Sequence, residues 1–346
     1  VDNTVGAIIE SSGDGLLVTG LLDGSLSNAG RITSLDSRGV NLGGGLTGDM
    51  SNSGTLESAA SDAVRLSGAQ GGTLRNSGRI ASLGGAGVNL DTGVAGAQID
   101  NSGTITAATG SSGATAAGTG VYVHAEAGVT GMTNSGTIEG SVNSLNLRNT
   151  TGPFAIANTG VLQGDVYLGI NTLNLNGEAS RVVGNTTNTG GTVNVNGTFT
   201  SEGTFNVTNF NVTENGVFNI RHDVTVGNGS GTLINDGVLA TPAQAAPQTV
   251  TGHYEQTANG TYRLALADTS TNYGKLAVSG NVKLADASTI DVRLTGTPAL
   301  SVDTVVRGVI TAGGTMTTNA NALTVTDNSA LFNFNASTSR NAKELD

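Results

Sequence analysis

The first half of the chain repeats a short motif, Asn-x-Gly-x-(Ile/Leu), at a nearly constant interval. The numbers of successive asparagines of this motif differ by 24, 24, 25, 33 and 24. A globular β-sandwich has no reason to keep such a register, whereas a solenoid that adds one structural unit per repeat requires it. The asparagines of the motif are Asn28, Asn52, Asn76, Asn101, Asn134 and Asn158.

Each repeat contains two further apolar segments besides the asparagine motif. After Asn28, for example, the segment 39–42 (Gly-Val-Asn-Leu) follows in the middle of the repeat, and Met50 precedes the next asparagine. Apolar and polar residues alternate within each segment, which is typical of short β-strands. The repeat therefore predicts an all-β parallel β-helix with three short strands per coil and coils about 4.8 Å apart.

Equivalent aliphatic residues of successive coils are expected to stack inside the helix as continuous columns. The asparagines of the turns tolerate the left-handed conformation and can hydrogen-bond along the stack. The glycine two places later is expected to supply positive φ or room for a tight corner. One predicted column contains Ile32, Leu56, Ile80, Ile105, Ile138 and Leu162, and another contains Val40, Val64, Val88, Val121 and Leu145.

Composition excludes several other classes of protein. Glycine is abundant, with 53 residues in 346, but it follows no three-residue period and there are only 4 prolines, so the chain is not collagen-like. The 37% hydrophobic content opposes general disorder. The net charge of −11 argues against nucleic acid and anionic membrane as partners. Residues 1–10 lack the features of a signal peptide, so we expect a mature or excised fragment.

The sequence contains no recognisable catalytic pattern. The three histidines lie far apart in sequence, and there is no cysteine, zinc-binding pattern, phosphate-binding loop or calcium-binding loop. Glu57 and Glu139 occupy the same place in their repeats, but the two repeats between them have Ala81 and Thr106 at that place. We therefore expect no catalytic residues, no cofactor and no metal site, and a protein that is not an enzyme.

One irregular coil offers a candidate contact surface. The longest interval, from Asn101 to Asn134, contains an almost uncharged insertion, 106–118, which is followed by Val-Tyr-Val-His-Ala-Glu at 121–126. If Val121 and Val123 point inward, the alternate side chains point outward, and loops on rigid solenoids often carry binding. The alternative is a tolerated insertion beside a lone exposed tyrosine. The candidate contact residues are Asn41, Arg65, Asn89, Tyr122, His124, Glu126 and Asn146.

The period loosens after Leu162, although alternating segments continue. We predict a β-helix over residues 1–250, with regular coils over about 20–180 and looser coils over 181–250, and a β-rich C-terminal cap over 251–346. The segment 240–249 contains two of the four prolines and is predicted to be a loop between sections. Basic residues of the cap are expected to blunt exposed strand edges, namely Lys275, Lys283, Arg293 and Arg307.

The C-terminal third resembles the end of bacterial autotransporter passengers of the type V secretion pathway, of the AIDA-like or pertactin-like kind. The similarity lies in Gly-x-Tyr-x-Gln at 252–256, Gly-Thr-x-x-Leu-x-Leu at 260–266 and the alternating series at 276–292. Tyr262 replaces the commoner leucine, and Gly274-Lys275 replace the usual aspartate. The resemblance covers 250–346 closely and 20–250 only through the type of repeat.

The resemblance implies a right-handed parallel β-helix whose C-terminal autochaperone region nucleates folding during export through the periplasm. It also implies a partner, the passenger's own C-terminal membrane β-barrel, which these 346 residues do not contain. The expected location is the bacterial cell surface and outer membrane, with release into the medium left open. The expected function is that of an adhesin in cell attachment, self-association or biofilm formation, and hence virulence, with a host-cell or matrix ligand or a second copy as partner.

The sequence leaves two alternative functions open. The chain could be the structural stalk and autochaperone portion of a larger passenger whose active N-terminal part is missing. It could also be a polysaccharide-processing β-helix, which would need two carboxylates facing one groove.

Overall fold

The computed structural model describes residues 1–108, 116–150, 152–187, 190–267, 271–296, 300–301, 303–339 and 341–346. The chain forms two compact units. Unit 1 comprises Val1–Asn174 and Ala179–Gly191, and unit 2 comprises Leu175–Glu178 and Thr192–Asp346. Each unit is an all-β parallel β-helix, as predicted. A coil contributes one strand to each of three faces, which we call A, B and C in the order in which the chain visits them.

The strands of unit 1 are short, except on coils where one strand continues around the corner from face B to face C. β17 and β19 are these longer strands, and the last residue of β20 belongs to unit 2. In chain order, with coils separated by semicolons, the strands are β1 Asp2–Asn3, β2 Ile8–Ser11, β3 Leu16–Val18; β4 Leu26–Asn28, β5 Arg31–Ser34, β6 Val40–Leu42; β7 Met50–Asn52, β8 Thr55–Ser58, β9 Val64–Leu66; β10 Thr73–Asn76, β11 Arg79–Ser82, β12 Val88–Leu90; β13 Ala97–Asn101, β14 Thr104–Ala107, β15 Thr119–Val123; β16 Val129–Asn134, β17 Thr137–Asn146; β18 Ala155–Asn158, β19 Val161–Tyr167; β20 Thr172–Leu175, β21 Arg181–Val183, β22 Thr186–Thr187.

The predicted aliphatic columns of unit 1 are confirmed. On face B, Ile32 lies in register with Leu56, and the column continues through Ile80 to Leu162 with every member at most 1% exposed. The column from Val40 to Leu145 fills face C in the same way. Full burial of such side chains stabilises a fold by about 1.5–3 kcal/mol each. Because the columns are continuous from coil to coil, the stacked coils share one core. Face A supplies a third column, Leu26, Met50, Leu74, Ile99, Met132 and Ile156.

The repeated asparagines form a hydrogen-bonded ladder inside unit 1. The side-chain Nδ2 of Asn52 donates to Oδ1 of Asn76 at 2.8 Å, and Asn76 donates to Asn101 at 2.8 Å. The predicted hydrogen bonding along the stack is therefore confirmed. The left-handed conformation that asparagine tolerates is not used here, because none of the motif asparagines has positive φ. Each sits at the end of a face-A strand with its side chain buried, since inward amides satisfy one another only when stacked.

The motif glycines make the corner between faces A and B. None of them has positive φ, so the first expected reason for glycine is wrong and the second, space, is correct. A Cβ on Gly54 would lie within 3.0 Å of the backbone of Gly30 in the preceding coil. The same holds at Gly78, which faces Gly54. The backbones of successive corners therefore touch directly, and any side chain would push the coils apart.

Unit 2 is built on the same three-face plan, with coils of less regular length. The 3-10 turns Gly227–Gly229 and Ala320–Ala322 follow β28 and β38. Its strands, again with coils separated by semicolons, are β23 Thr192–Val195, β24 Thr198–Thr200, β25 Phe205–Val207; β26 Asn209–Val212, β27 Val217–Asn219, β28 Val224–Val226; β29 Thr232–Asn235, β30 Val238–Thr241, β31 Gln248–Thr251; β32 His253–Gln256, β33 Thr261–Leu266, β34 Leu276–Val278; β35 Val282–Leu284, β36 Thr289–Leu294, β37 Ile310–Ala312; β38 Met316–Thr317, β39 Thr324–Asp327, β40 Thr338–Ser339, β41 Glu344–Leu345.

Aromatic side chains fill the core of unit 2 where unit 1 uses aliphatic ones. Phe218 stacks on Phe199 of the neighbouring coil, with ring centroids 6.1 Å apart, and Phe210 lies 4.9 Å from Phe218. Phe205 meets Phe210 edge to face at 5.3 Å. These four rings are at most 2% exposed. Aromatic pairs in such geometries contribute about 0.5–1.5 kcal/mol beyond their burial, so the cluster stabilises the less regular coils.

The last coil of unit 2 ends differently on its faces. On face C, β41 pairs antiparallel with β37, and the buried Leu345 covers Ile310. On face B, Asp327 stands in register with the inward Val292, so a carboxylate ends the apolar column. An inward charge of this kind discourages a further strand from adding to the edge. The expected role of basic residues such as Lys283 is not realised, because its strand β35 has neighbours on both sides.

One further sequence prediction concerns the boundary between sections of the chain. Residues 242–247 connect β30 to β31 within one coil, and β31 crosses position 250. The domain boundary proposed at 250 stays a prediction. No helix in the described residues is long and apolar enough to cross a membrane.

Candidate functional surface

The predicted contact residues of the regular coils occupy one outward column on face C of unit 1. Asn41 is in register with Arg65, and Arg65 with Asn89. Asn89 is in register with Tyr122, and Tyr122 with Asn146. The column arises because each residue is the middle one of the apolar-polar-apolar segment in its coil, so its neighbours point inward.

Most of this column is not open to solvent. Asn41, Tyr122 and Asn146 are only 6%, 4% and 2% exposed. The alternative interpretation of Tyr122 as a lone exposed tyrosine is therefore wrong. Its ring is buried and meets the half-buried ring of His124 edge to face at 6.0 Å. Glu126 is exposed and has a φ of 71°. Residues 109–115 of the insertion lie outside the described residues.

Two aspartates at the corner before face C hold asparagines of the column. Asn41 Nδ2 donates to Asp14 Oδ2 at 2.7 Å, and Asn89 Nδ2 donates to Asp62 Oδ2 at 2.8 Å. Burial alone would raise the pKa of Asp14, but hydrogen bonds from Ser37, Asn41 and the Arg38 backbone outweigh it and hold the pKa below its usual value. These asparagines therefore serve the fold, because their amide hydrogens are committed to neighbouring coils.

Charged and aromatic side chains occupy the remainder of face C. Arg65 forms an ion pair with Asp91 of the next coil. Burial would raise the pKa of Asp91, but the Thr92 backbone N–H and the Arg65 guanidinium keep this pKa below its usual value. The exposed Arg148 lies over the ring of Tyr167, 4.1 Å from its centroid. Arg148 and Tyr167 are the more exposed part of this face, and they were not predicted from the sequence as contact residues.

Two ionic ladders on the other faces were also missed. On face A, Arg75 lies between Asp49 and Asp100 of the adjacent coils, at 3.3 and 3.4 Å. The Thr73 backbone N–H and Arg75 both hydrogen-bond to Asp49 and lower its pKa. Signs alternate along this ladder as minus, plus, minus. In the sequence the only signal is that the opposite charges stand about one repeat apart.

The ladder on face B has the opposite sign pattern. Glu57 lies between Arg31 and Arg79 of the adjacent coils, at 3.1 and 3.5 Å. The arginine side chains are half exposed and the glutamate is 30% exposed. Exposed ion pairs contribute only about 0–1 kcal/mol to stability. These ion pairs therefore contribute little to the fold. Their charges remain accessible to another surface whose charges have the complementary pattern.

The structure does not bring together the two glutamates considered for catalysis. Glu57 is in register with Ala81, and Thr106 separates Ala81 from Glu139, so the two glutamates stand three coils apart. No group of three histidine, aspartate or glutamate side chains among the described residues could hold a metal ion.

Comparisons with known proteins add no assignment: no protein-family model, curated protein or solved structure matches the chain.

Proposed function

We propose that the chain is the passenger of an autotransporter and acts at the bacterial cell surface as an adhesin. The observation that carries the proposal is the pair of ionic ladders on faces A and B of unit 1. Each repeats charge at the coil spacing, and their sign patterns are complementary to each other. Contacts of this kind are individually weak, but many copies on one cell add avidity. The partner is a second copy or a host-cell or matrix surface.

Beads coated with the purified chain test this function. Coated beads are expected to aggregate with one another or to bind a cell or matrix surface at low salt, and to lose this property at about 1 M salt, where the screening length is about 3 Å. Arg75→Gln is expected to reduce aggregation severalfold, because it leaves Asp49 and Asp100 without their shared cation. Arg221→Gln, which removes an exposed arginine of unit 2, is the matched control.

The result separates the surface from the function. If Arg75→Gln and wild-type beads behave alike, the face-A ladder is not the contact. If folded protein neither aggregates beads nor binds any surface tested, the adhesin proposal is contradicted.

The second part of the proposal is that the C-terminal region nucleates folding. Its support is the face-C end of unit 2, where β41 reverses direction and Leu345 covers Ile310. If the chain leaves a pore C-terminus first, each preceding coil could stack in turn on the N-terminal side of this unit. A chain cut after residue 250 is expected to refold from urea more slowly and with lower yield than the full chain. Equal refolding rates and one full cooperative transition in the truncated chain would refute nucleation.

A further inference from the structure

An apolar cleft lies in the last coils of unit 2. It has a volume of about 560 Å³. Its floor is the inner side of face B, formed by Leu264, Ile290, Val292 and Val325. The column of inward side chains is thus left open on one side, and two connections, 303–309 and 331–337, form the walls.

The walls of the cleft expose apolar side chains to solvent. Val305 is 50% exposed and Leu331 is 87% exposed, while Phe332 and Phe334 are half buried. The floor residue Val325 is also only half buried. Soluble proteins rarely leave a contiguous apolar surface of this kind open unless it binds something.

Charge in the cleft narrows the class of ligand. Among the described residues that line it, the charged ones are Asp303 and Asp346, and none is basic. Asp346 is 3% exposed at its side chain, accepts the Gly308 N–H at 2.7 Å and lies 3.8 Å from Arg307, so its charge is already matched. A carboxylate or phosphate ligand would meet Asp303, and Arg307, the cation beside the lining, is already paired with Asp346.

A strand of another polypeptide is a poor occupant of this cleft. Strand β39 is the last strand of its sheet among the described residues, but it is short and carries Asp327 at an inward position opposite Val292. An added strand would bury that carboxylate, which accepts the Ser329 N–H at 2.8 Å but has no paired cation among the described residues, and burying an unpaired charge is costly. The geometry of the edge therefore opposes a peptide or a second copy, and favours a small molecule that needs no backbone pairing.

We infer that the cleft binds an uncharged, mainly apolar small molecule. Its volume lies within the range of about 300–1,000 Å³ that is usual for small-molecule sites. The apolar floor would take the hydrocarbon or aromatic part of the ligand. Neutral polar side chains of the lining, such as Asn333, Asn335 and Thr304, are available for a hydroxyl, ether or amide group. This site does not depend on the adhesin proposal, because the ionic ladders lie in unit 1.

Fluorescence titration of the full chain with the neutral probe N-phenyl-1-naphthylamine tests the inference. Saturable binding of one probe per chain is expected. Val305→Asp and Leu331→Asp are each expected to weaken binding about tenfold, because they bring charge and water to the rim. Both positions are exposed, so folding should survive, and circular dichroism checks this. Leu17→Asp, at an apolar position of unit 1 that is 54% exposed, is the control and should leave binding unchanged.

A charged probe of similar size provides a second test of the cleft. The anionic probe 8-anilinonaphthalene-1-sulfonate, similar in size, should bind at least about tenfold more weakly than the neutral one. The inference is overturned if both rim variants bind the neutral probe as wild type does, or if Leu17→Asp weakens binding equally. It is also overturned if the anionic probe binds as tightly, or if the probe is displaced by concentration-dependent dimerisation of the chain.

Discussion

Replacing Gly54 with alanine is expected to lower the free energy of unfolding of unit 1 by about 3 kcal/mol. Overpacked positions ordinarily lose about 1–3 kcal/mol, and this one is at the upper end because the obstacle is backbone rather than a movable side chain. The added Cβ would lie within 3.0 Å of the Gly30 carbonyl oxygen. That oxygen also accepts the Thr55 N–H at 2.9 Å, so moving it away breaks an inter-coil hydrogen bond.

Hydrogen exchange read by mass spectrometry measures this loss in unit 1 alone, since a chain with two units need not unfold in one step. Gly20→Ala is the matched control, because a Cβ there would meet nothing within 4 Å. Its effect should stay within about 0.5 kcal/mol. If the backbone amides of unit 1 are equally protected from exchange in Gly54→Ala and in Gly20→Ala, the corners are not in backbone contact.

Replacing Phe218 with alanine is expected to lower the free energy of unfolding of unit 2 by about 4 kcal/mol. Truncating a buried phenylalanine removes its transfer free energy and leaves a cavity, with a total cost of about 3–5 kcal/mol. Phe218 is 0% exposed and contacts the rings of Phe199 and Phe210. The surrounding strands are tied to both neighbouring coils, so the cavity cannot close by local collapse.

Urea unfolding and hydrogen exchange of unit 2 check this value. Phe218→Leu should cost less than about 1.5 kcal/mol because it keeps most of the volume. Ile234→Ala, at an exposed face-A position, should cost about 0.5 kcal/mol or less. A loss of less than about 1 kcal/mol in Phe218→Ala would mean that the aromatic cluster is not the core of these coils.

The core of unit 1 could be predicted residue by residue because its period is nearly constant. A fixed interval places Ile32, Leu56 and Ile80 above one another with no other information. The conformation of the asparagines could not be predicted in the same way. An asparagine beside glycine suits a left-handed corner as well as a buried ladder, and only the stacking of complete coils decides between the two.

Register in unit 2 was less accessible because its coils differ in length. On face A, Val193 stands in register with Phe210, and Val282 stands in register with Met316. The second of these pairs is twice as far apart in the sequence as the first. Without a fixed interval, alternation identifies strands but not their neighbours. Alternation did predict looser coils over 181–250, but it could not give the length of each coil.

The candidate surface was the part least open to sequence reasoning. Outward direction was correctly inferred for Tyr122, yet its burial depends on neighbouring side chains such as His124. The ionic ladders escaped because partners such as Asp49 and Arg75 do not occupy the same position in their repeats. Their separation in the sequence is slightly longer than the period, so a comparison of equivalent positions does not align them.

The asparagine ladder also determines how such a chain can change its length. Every ladder amide from Asn28 to Asn134 accepts from the coil before it and donates to the coil after it. Removing residues 53–76 in frame would put Asn52 where Asn76 was, next to Asn101, with each donor and acceptor still matched. Whole coils can therefore be duplicated or deleted in genetic steps of one period, whereas an odd-sized insertion is tolerated only between strands.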